Sequence, residues 1–307
     1  VRVRTYSSTD EQHQFGQFRW DLAFVGADLD ERSKAAIDLI NSAATKAHPA
    51  EFTVEQPHRL RVGTNLLGPK ELAKFIGGAR SLVLETTTLG TVEVLQFLRA
   101  ARDANLSSID CLYVEPKDYE KDTFLESSWS RDFSLSNSHR VAGVPPFLPM
   151  QAQLADRNVR LVAMLGYESS RLAAIFEQDP EMIAWRKFAV VGVPGYSPGW
   201  EQNALANNVD TLDAHQFHPV RYCSASSVSG AYDLLTQIHA EGHGENPHTT
   251  VAPLGTKPHG IAAAMFLVDH SSYQQASLLY DHPIRTKGRS SRVRRWHLYR
   301  IDLTHKP

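Results

Sequence analysis

Two spacings of apolar positions alternate along the chain. Short runs rich in β-branched and aromatic residues, bounded by Gly, Pro, Asp or Asn, predict strands. Longer stretches with apolar residues every three or four positions predict helices. The strand candidates are DLAFVGA (21–27), RLRVGT (59–64), SLVLET (81–86), IDCLYVE (109–115), RLVAMLG (160–166), FAVVGV (188–193), VRYCSA (220–225), TVAPLG (250–255), ASLLYD (276–281) and WHLYRID (296–302). Helices are predicted over 30–47, 68–79, 91–104, 169–178, 227–242 and 257–270. In the third, Val94, Leu95, Leu98 and Ala101 share one face, which suits a cover lying on a sheet. The last, KPHGIAAAMFLVDH, is apolar nearly all round and should be buried.

Strands alternating with helices predict the α/β class, with mainly parallel sheets. Ten strand runs are too many for one mononucleotide-binding unit, so two Rossmann-like lobes are expected, over 1–120 and 159–307. Between them, 121–158 reads as a linker or crossover. The prolines of VAGVPPFLPM exclude a helix there and disfavour a central strand, and an ordered loop is expected around Trp129 and Phe133.

The halves also align with one another, which suggests an internal pseudo-duplication. From Ser81 and from Thr249 the order is strand, Leu-Gly-Thr, helix, strand, aromatic; Gly90 pairs with Gly255 and Tyr113 with Tyr280. Upstream, FVGADLDERSKAAI matches AMLGYESSRLAAI. Any two βαβ units share part of this pattern, so the order of the matched features carries the comparison.

Composition narrows the function classes. A net charge of -2 over 307 residues argues against coating nucleic acid by global charge, so an anion site must be local. No apolar run approaches the roughly 20 residues that span a bilayer, and VRVRTYSSTDEQHQ lacks the apolar core of a signal peptide. The expectation is a cytoplasmic protein without a membrane partner. Cys111 and Cys223 lie in strand-like runs and read as buried thiols, and the fourteen histidines form no metal-binding spacing.

In open parallel sheets a ligand lies beyond the carboxyl ends of the strands. The stretch VAPLGTKPHG, 251–260, places a turn glycine, a hydroxyl, a cation and an imidazole at such an end. Pro258 suits the first helical turn, so the amides after Gly255, with Thr256, Lys257 and His259, are expected to favour an anion. An ordinary helix cap explains the same residues. No G-x-x-x-x-G-K-[ST] or G-x-G-x-x-G pattern occurs, and no G-x-S-x-G elbow. In PGYSPGW, Tyr196 and Trp200 offer faces for a base, or else plug the sheet end. Arg171 and Arg285 would add charge.

The first lobe is acidic at its strand ends, at Asp28, Asp30, Glu31, Glu85, Glu115 and Asp118. Asp28, Glu85 and Glu115 are the catalytic candidates, and Mg²⁺ enters as a cofactor only if they act together. No dedicated metal site is expected. The stretch RTKGRSSRVRRWHLYR carries Arg285, Lys287, Arg289, Arg292, Arg294, Arg295 and Arg300 around Trp296 and Tyr299. It reads as a charged edge strand, with nucleic-acid contact the less favoured alternative.

These features together point to binding of a phosphorylated small molecule, best a nucleotide, at the second lobe's strand ends near the lobe junction, in a sensor or regulatory protein. At fold level the arrangement resembles nucleotide-sensing modules of paired Rossmann-like units, and fold alone assigns no function. The alternatives are a nucleotide-dependent transferase or Mg²⁺-dependent phosphodiesterase or nuclease, and a non-catalytic scaffold whose partner is a protein.

Overall fold

The computed structural model describes residues 2–9, 15–119, 133, 135–138, 140–148, 158–178, 186–241, 247–271 and 275–304. It is a mixed α/β structure, and its chain separates into two compact units. The first comprises Val1–Tyr119 together with Lys287–Pro307; the second is Glu120–Thr286.

The first unit runs β1 (Val3–Ser8), β2 (Trp20–Val25), α1 (Glu31–Ala43), β3 (Ala44–Phe52), β4 (Leu60–Val62), β5 (Asn65–Leu67), α2 (Pro69–Ile76), β6 (Leu82–Glu85), α3 (Thr91–Asp103) and β7 (Ser108–Tyr119). In the second come β8 (Ser136–Ser138), β9 (Asn158–Met164), α4 (Ser169–Gln178), β10 (Arg186–Gly192), α5 (Trp200–Ala214), β11 (Val220–Cys223), α6 (Val228–Ala240), β12 (Pro247–Pro253), α7 (Lys257–His270), β13 (Ala276–Leu278) and β14 (Ile284–Arg285). The chain then returns to the first unit as β15 (Ser290–Asp302).

Every predicted strand run contains a strand, and α3 and α7 behave as their patterns require. Val94, Leu95, Leu98 and Ala101 of α3 are buried, and α7 is buried from Pro258 to Asp269. Two local expectations fail. The helix predicted over 30–47 stops at Ala43, and β3 starts at once, parallel to β2 with Trp20 opposite Ala44. Pairing with a buried neighbour outweighs the helical propensity of AATKA. The segment 141–148 is also more than a linker: Val144 and Phe147 are buried, and the Phe147 carbonyl accepts the Leu278 amide at 2.8 Å. Phe133 is buried as well, whereas Trp129 lies outside the described residues.

The first sheet has the order β1-β15-β7-β6-β2-β3-β4-β5. Its middle, β7-β6-β2-β3, is parallel, and antiparallel strands extend both sides. The expectation that the basic C-terminal stretch forms an edge strand is therefore corrected. β15 lies between β7 and β1, and Trp296 and Tyr299 are buried there instead of being offered to nucleic acid. Within it Arg300 binds Asp110 at 2.8 Å through both Nε and Nη2, and Arg294 approaches Glu115 at 3.3 Å.

The second sheet, β11-β10-β9-β12-β13, is parallel throughout. Leu161, Ala163, Leu165, Leu172, Ala189 and Val191 join residues of α4 and α5 in one core against it. Its chain order places β10 and β11 on one side of β9, and β12 and β13 on the other. The order therefore reverses between β9 and β12, where doubly wound sheets place their ligand crevice.

Candidate functional site

At that reversal the loops leaving β9 and β12 touch. A Cβ on Gly166 would run into the Leu254 carbonyl, and one on Gly255 would stand 2.6 Å from the Leu165 carbonyl oxygen. Close backbone approach is what excludes any side chain at these two positions. The α5 side chains brace the first loop: Asn208 donates to the Gly166 carbonyl at 3.1 Å and Asn207 to that of Tyr167 at 2.6 Å.

Beyond Gly255, Thr256 caps α7 and accepts weakly from the His259 amide at 3.5 Å. Its own hydroxyl hydrogen goes to the Ala225 carbonyl at 2.7 Å. His259 is fully buried, and its Nε2 donates to the Ser224 carbonyl at 3.1 Å, beside Cys223 Sγ at 3.3 Å. A carbonyl only accepts, so the proton is on Nε2. Burial holds this imidazole down at about 4, against the smaller opposing effect of the Ser224 bond, and pushes the Cys223 thiol up to about 11.

Two residues of the expected anion site are thus bonded within the chain. Thr256 and His259 lock the start of α7 onto the loop 224–227 and spend their hydrogens doing so. In the first turn Pro258 has no N–H, and the His259 and Gly260 amides are taken by Thr256. Lys257 remains at the first helical position, half-buried. The same bonds bring in a segment that pattern reading passed over, Ser224-Ala-Ser-Ser227. Ser227 caps α6, accepting the Gly230 amide at 3.0 Å, so the starts of α6 and α7 are held side by side. A serine-rich loop between a strand and a helix is a capping signal that the sequence does carry.

Arg171, in the first turn of α4, is bonded within the chain. Its Nε and Nη2 hold Asp281 at 2.8 and 2.7 Å, and Nη1 donates to the Leu254 carbonyl at 2.8 Å. Burial opposes its charge, yet Asp281 outweighs this and keeps the guanidinium pKa above its ordinary range. Arg171 therefore ties α4 to the crevice loops. Tyr196 is 5% exposed, and in the same loop the Pro194 carbonyl accepts the Ala225 amide at 3.0 Å. Trp200 is half-buried at the start of α5, edge-on to Tyr167 with ring centroids 5.8 Å apart. Arg285 lies in the β8–β14 ribbon, outside the loops that follow β9 to β12.

In the first unit each candidate carboxylate is held by its own neighbours. Glu85 is fully buried and accepts from the Thr87 and Thr88 amides at 2.8 and 3.0 Å and from the Thr88 hydroxyl. Burial raises its pKa despite these bonds. Asp28 accepts from Ser33 Oγ at 2.8 Å. Glu115 accepts from His297 Nε2 at 2.9 Å, and His297 Nδ1 then accepts from Ser7 Oγ at 2.8 Å. Asp30 caps α1, and Arg32 pairs with it at 3.1 Å. Among the described residues no three His, Cys, Asp or Glu side chains group to hold a metal, and no helix is long and apolar enough to cross a membrane.

No protein-family model matches this chain, and comparison with curated proteins likewise finds no match.

Proposed function

We propose that the second unit binds a phosphorylated small molecule, best a nucleotide, at the carboxyl ends of β9 and β12, as a sensor or regulatory element. The observation that carries this reading is the pairing of two helix starts, α6 and α7, through Thr256 and His259 beside the strand-order reversal. Paired helix N-termini place two positive dipole ends together, and Lys257 and the serine hydroxyls add charge and donors. Trp200 supplies the face for a base. Denaturing the purified chain and running mass spectrometry on what is released tests this. A phosphorylated compound is expected; no such compound, and no nucleotide binding on titration, would remove the reading.

The pseudo-duplication belongs to the same proposal. The orders β3-β2-β6-β7 and β10-β9-β12-β13 correspond strand for strand, and Gly26 and Gly166 each crowd a carbonyl beyond the neighbouring strand, those of Thr88 and Leu254, which lie one position apart in the alignment. Superposition of the two four-strand cores should align Gly26 with Gly166 and Arg32 with Arg171. A best fit in another register would reject common descent.

A second reading rests on Ser7, His297 and Glu115. The carboxylate fixes the proton on His297 Nε2 and leaves Nδ1 to accept from an exposed hydroxyl, the polarity that activates a nucleophile. A fluorophosphonate should label Ser7 in the native chain and fail to do so in His297→Ala. Unlabelled native protein would exclude it.

A further inference from the structure

Three arginines allow a like-for-like comparison of one guanidinium edge. Arg171 gives its Nε–Nη2 edge to the two oxygens of Asp281, and Arg300 gives the same edge to Asp110. Among the described residues Arg160 of β9 has no such acid. Its side chain is fully buried, its Nη1 donates to the His239 carbonyl at 3.2 Å, and its Nε and Nη2 are buried without a hydrogen bond.

A buried guanidinium keeps its proton, so its charge needs an acceptor. The His239 carbonyl belongs to the last turn of α6, and the negative end of that helix offsets part of the charge. It does not fill the edge. Among the described residues the groups around it do not fill that edge either, although Glu241 acts on the charge from a distance. Arg186 is the paired residue on β10, and Glu241 is bound by Arg221 at 2.9 Å. Thr249 is the paired residue on β12 and bonds His239 Nδ1 at 2.8 Å; His248 Nε2 is held by Ser277 at 2.9 Å. Burial and Arg186 together lower the Arg160 pKa, with Glu241 opposing.

We propose that the Nε–Nη2 edge of Arg160, with exposed Arg186 beside it, is an anion site taking two oxygens of one small acid group, a phosphate, sulfate or carboxylate. It lies near the N-terminal end of β9, the opposite end from the crevice, and does not depend on the function proposed there. The two donors point as a planar fork, the geometry that selects a two-oxygen acid over a single-atom ion. Because the fork is enclosed, the anion enters through local opening and is held away from water, where its charge interactions are strongest.

Thermal unfolding of the full chain, with chloride replaced at constant ionic strength by inorganic phosphate or by acetate, tests this. Phosphate, acetate or both should raise Tm by roughly 2–4 °C once in large excess over Kd. Which anion acts identifies the acid class. Arg160→Lys keeps the charge, loses the fork and should abolish the part of the rise that Lys257→Ala retains. Should that variant not fold, Arg186→Ala decides by equilibrium dialysis: about 3–10-fold weaker phosphate binding is expected, as for a nearby charge lost, and unchanged binding overturns the site. Lys257→Ala removes the crevice cation and should keep the share of the rise that belongs to Arg160. A rise lost there but kept in Arg160→Lys places the anion in the crevice and overturns this site. No rise with either anion also overturns it and means that the fork is filled by an acid of the chain itself.

Discussion

Arg171 and Asp281 form a buried two-point pair, 110 residues apart in sequence, that joins α4 to the segment after β13. Removing one partner strands a buried charge. Asp281→Asn should therefore cost about 3–5 kcal/mol in urea unfolding. Arg171→Met with Asp281→Leu should recover much of it, since a well-packed apolar pair removes both desolvation costs. A ligand-affinity loss in Arg171→Met without a stability loss would return Arg171 to the binding site.

Lys257 is the cation at the start of α7, half-buried at the first helical position. Lys257→Ala should weaken binding of a phosphorylated ligand by about 1.5–3 kcal/mol, the scale of a charge-assisted hydrogen bond, and leave the urea midpoint near its native value. Calorimetric titration checks the first part. An unchanged affinity would move the phosphate elsewhere.

The two aromatics of PGYSPGW should separate. Tyr196 is buried, so Tyr196→Ala should act as a core truncation and cost about 3–5 kcal/mol of stability. Trp200 is half-buried, so Trp200→Ala should cost about 1–3 kcal/mol of nucleotide affinity and spare inorganic phosphate. Equal losses for nucleotide and phosphate would rule out stacking.

His259 makes stability depend on pH. Its folded value of about 4 lies below the ordinary 6.5, so the unfolded chain binds the proton first. The contribution is fully present above about pH 6.5 and is lost as pH falls toward 4. The loss is about 3 kcal/mol in scale. His239, held at about 4 by burial, by the neighbouring His270 and His248 and by Arg160, acts in the same direction. His259→Gln should flatten the decline of Tm between pH 7 and 4.5; an unchanged slope would show that the imidazole is not the titrating group.

Along the chain, periodicity and punctuation did not make β1, β3, β5, β8 and β14 legible, but they were enough for the α/β class, ten of the strands, the buried α7 and the position of its start at a strand end. These depend on alternation and on Gly, Pro and cap residues within one segment. AATKA shows the limit of that reading: its composition is helical, but β2 offers a strand to pair with, and Ala44 takes it. Likewise VRRWHLYR carries the charges of an edge strand, yet β1 covers its outer side.

The side-chain roles were decided only in three dimensions. Thr256 donates to Ala225, 31 residues back, His259 to Ser224, 35 back, and Arg171 to Asp281. The sequence supplied the donors but not their acceptors. A hydroxyl, an imidazole or a guanidinium is equally able to meet a ligand or its own chain, and which it meets follows from the burial that folding imposes, because a polar group removed from water must take whatever acceptor the fold brings within reach.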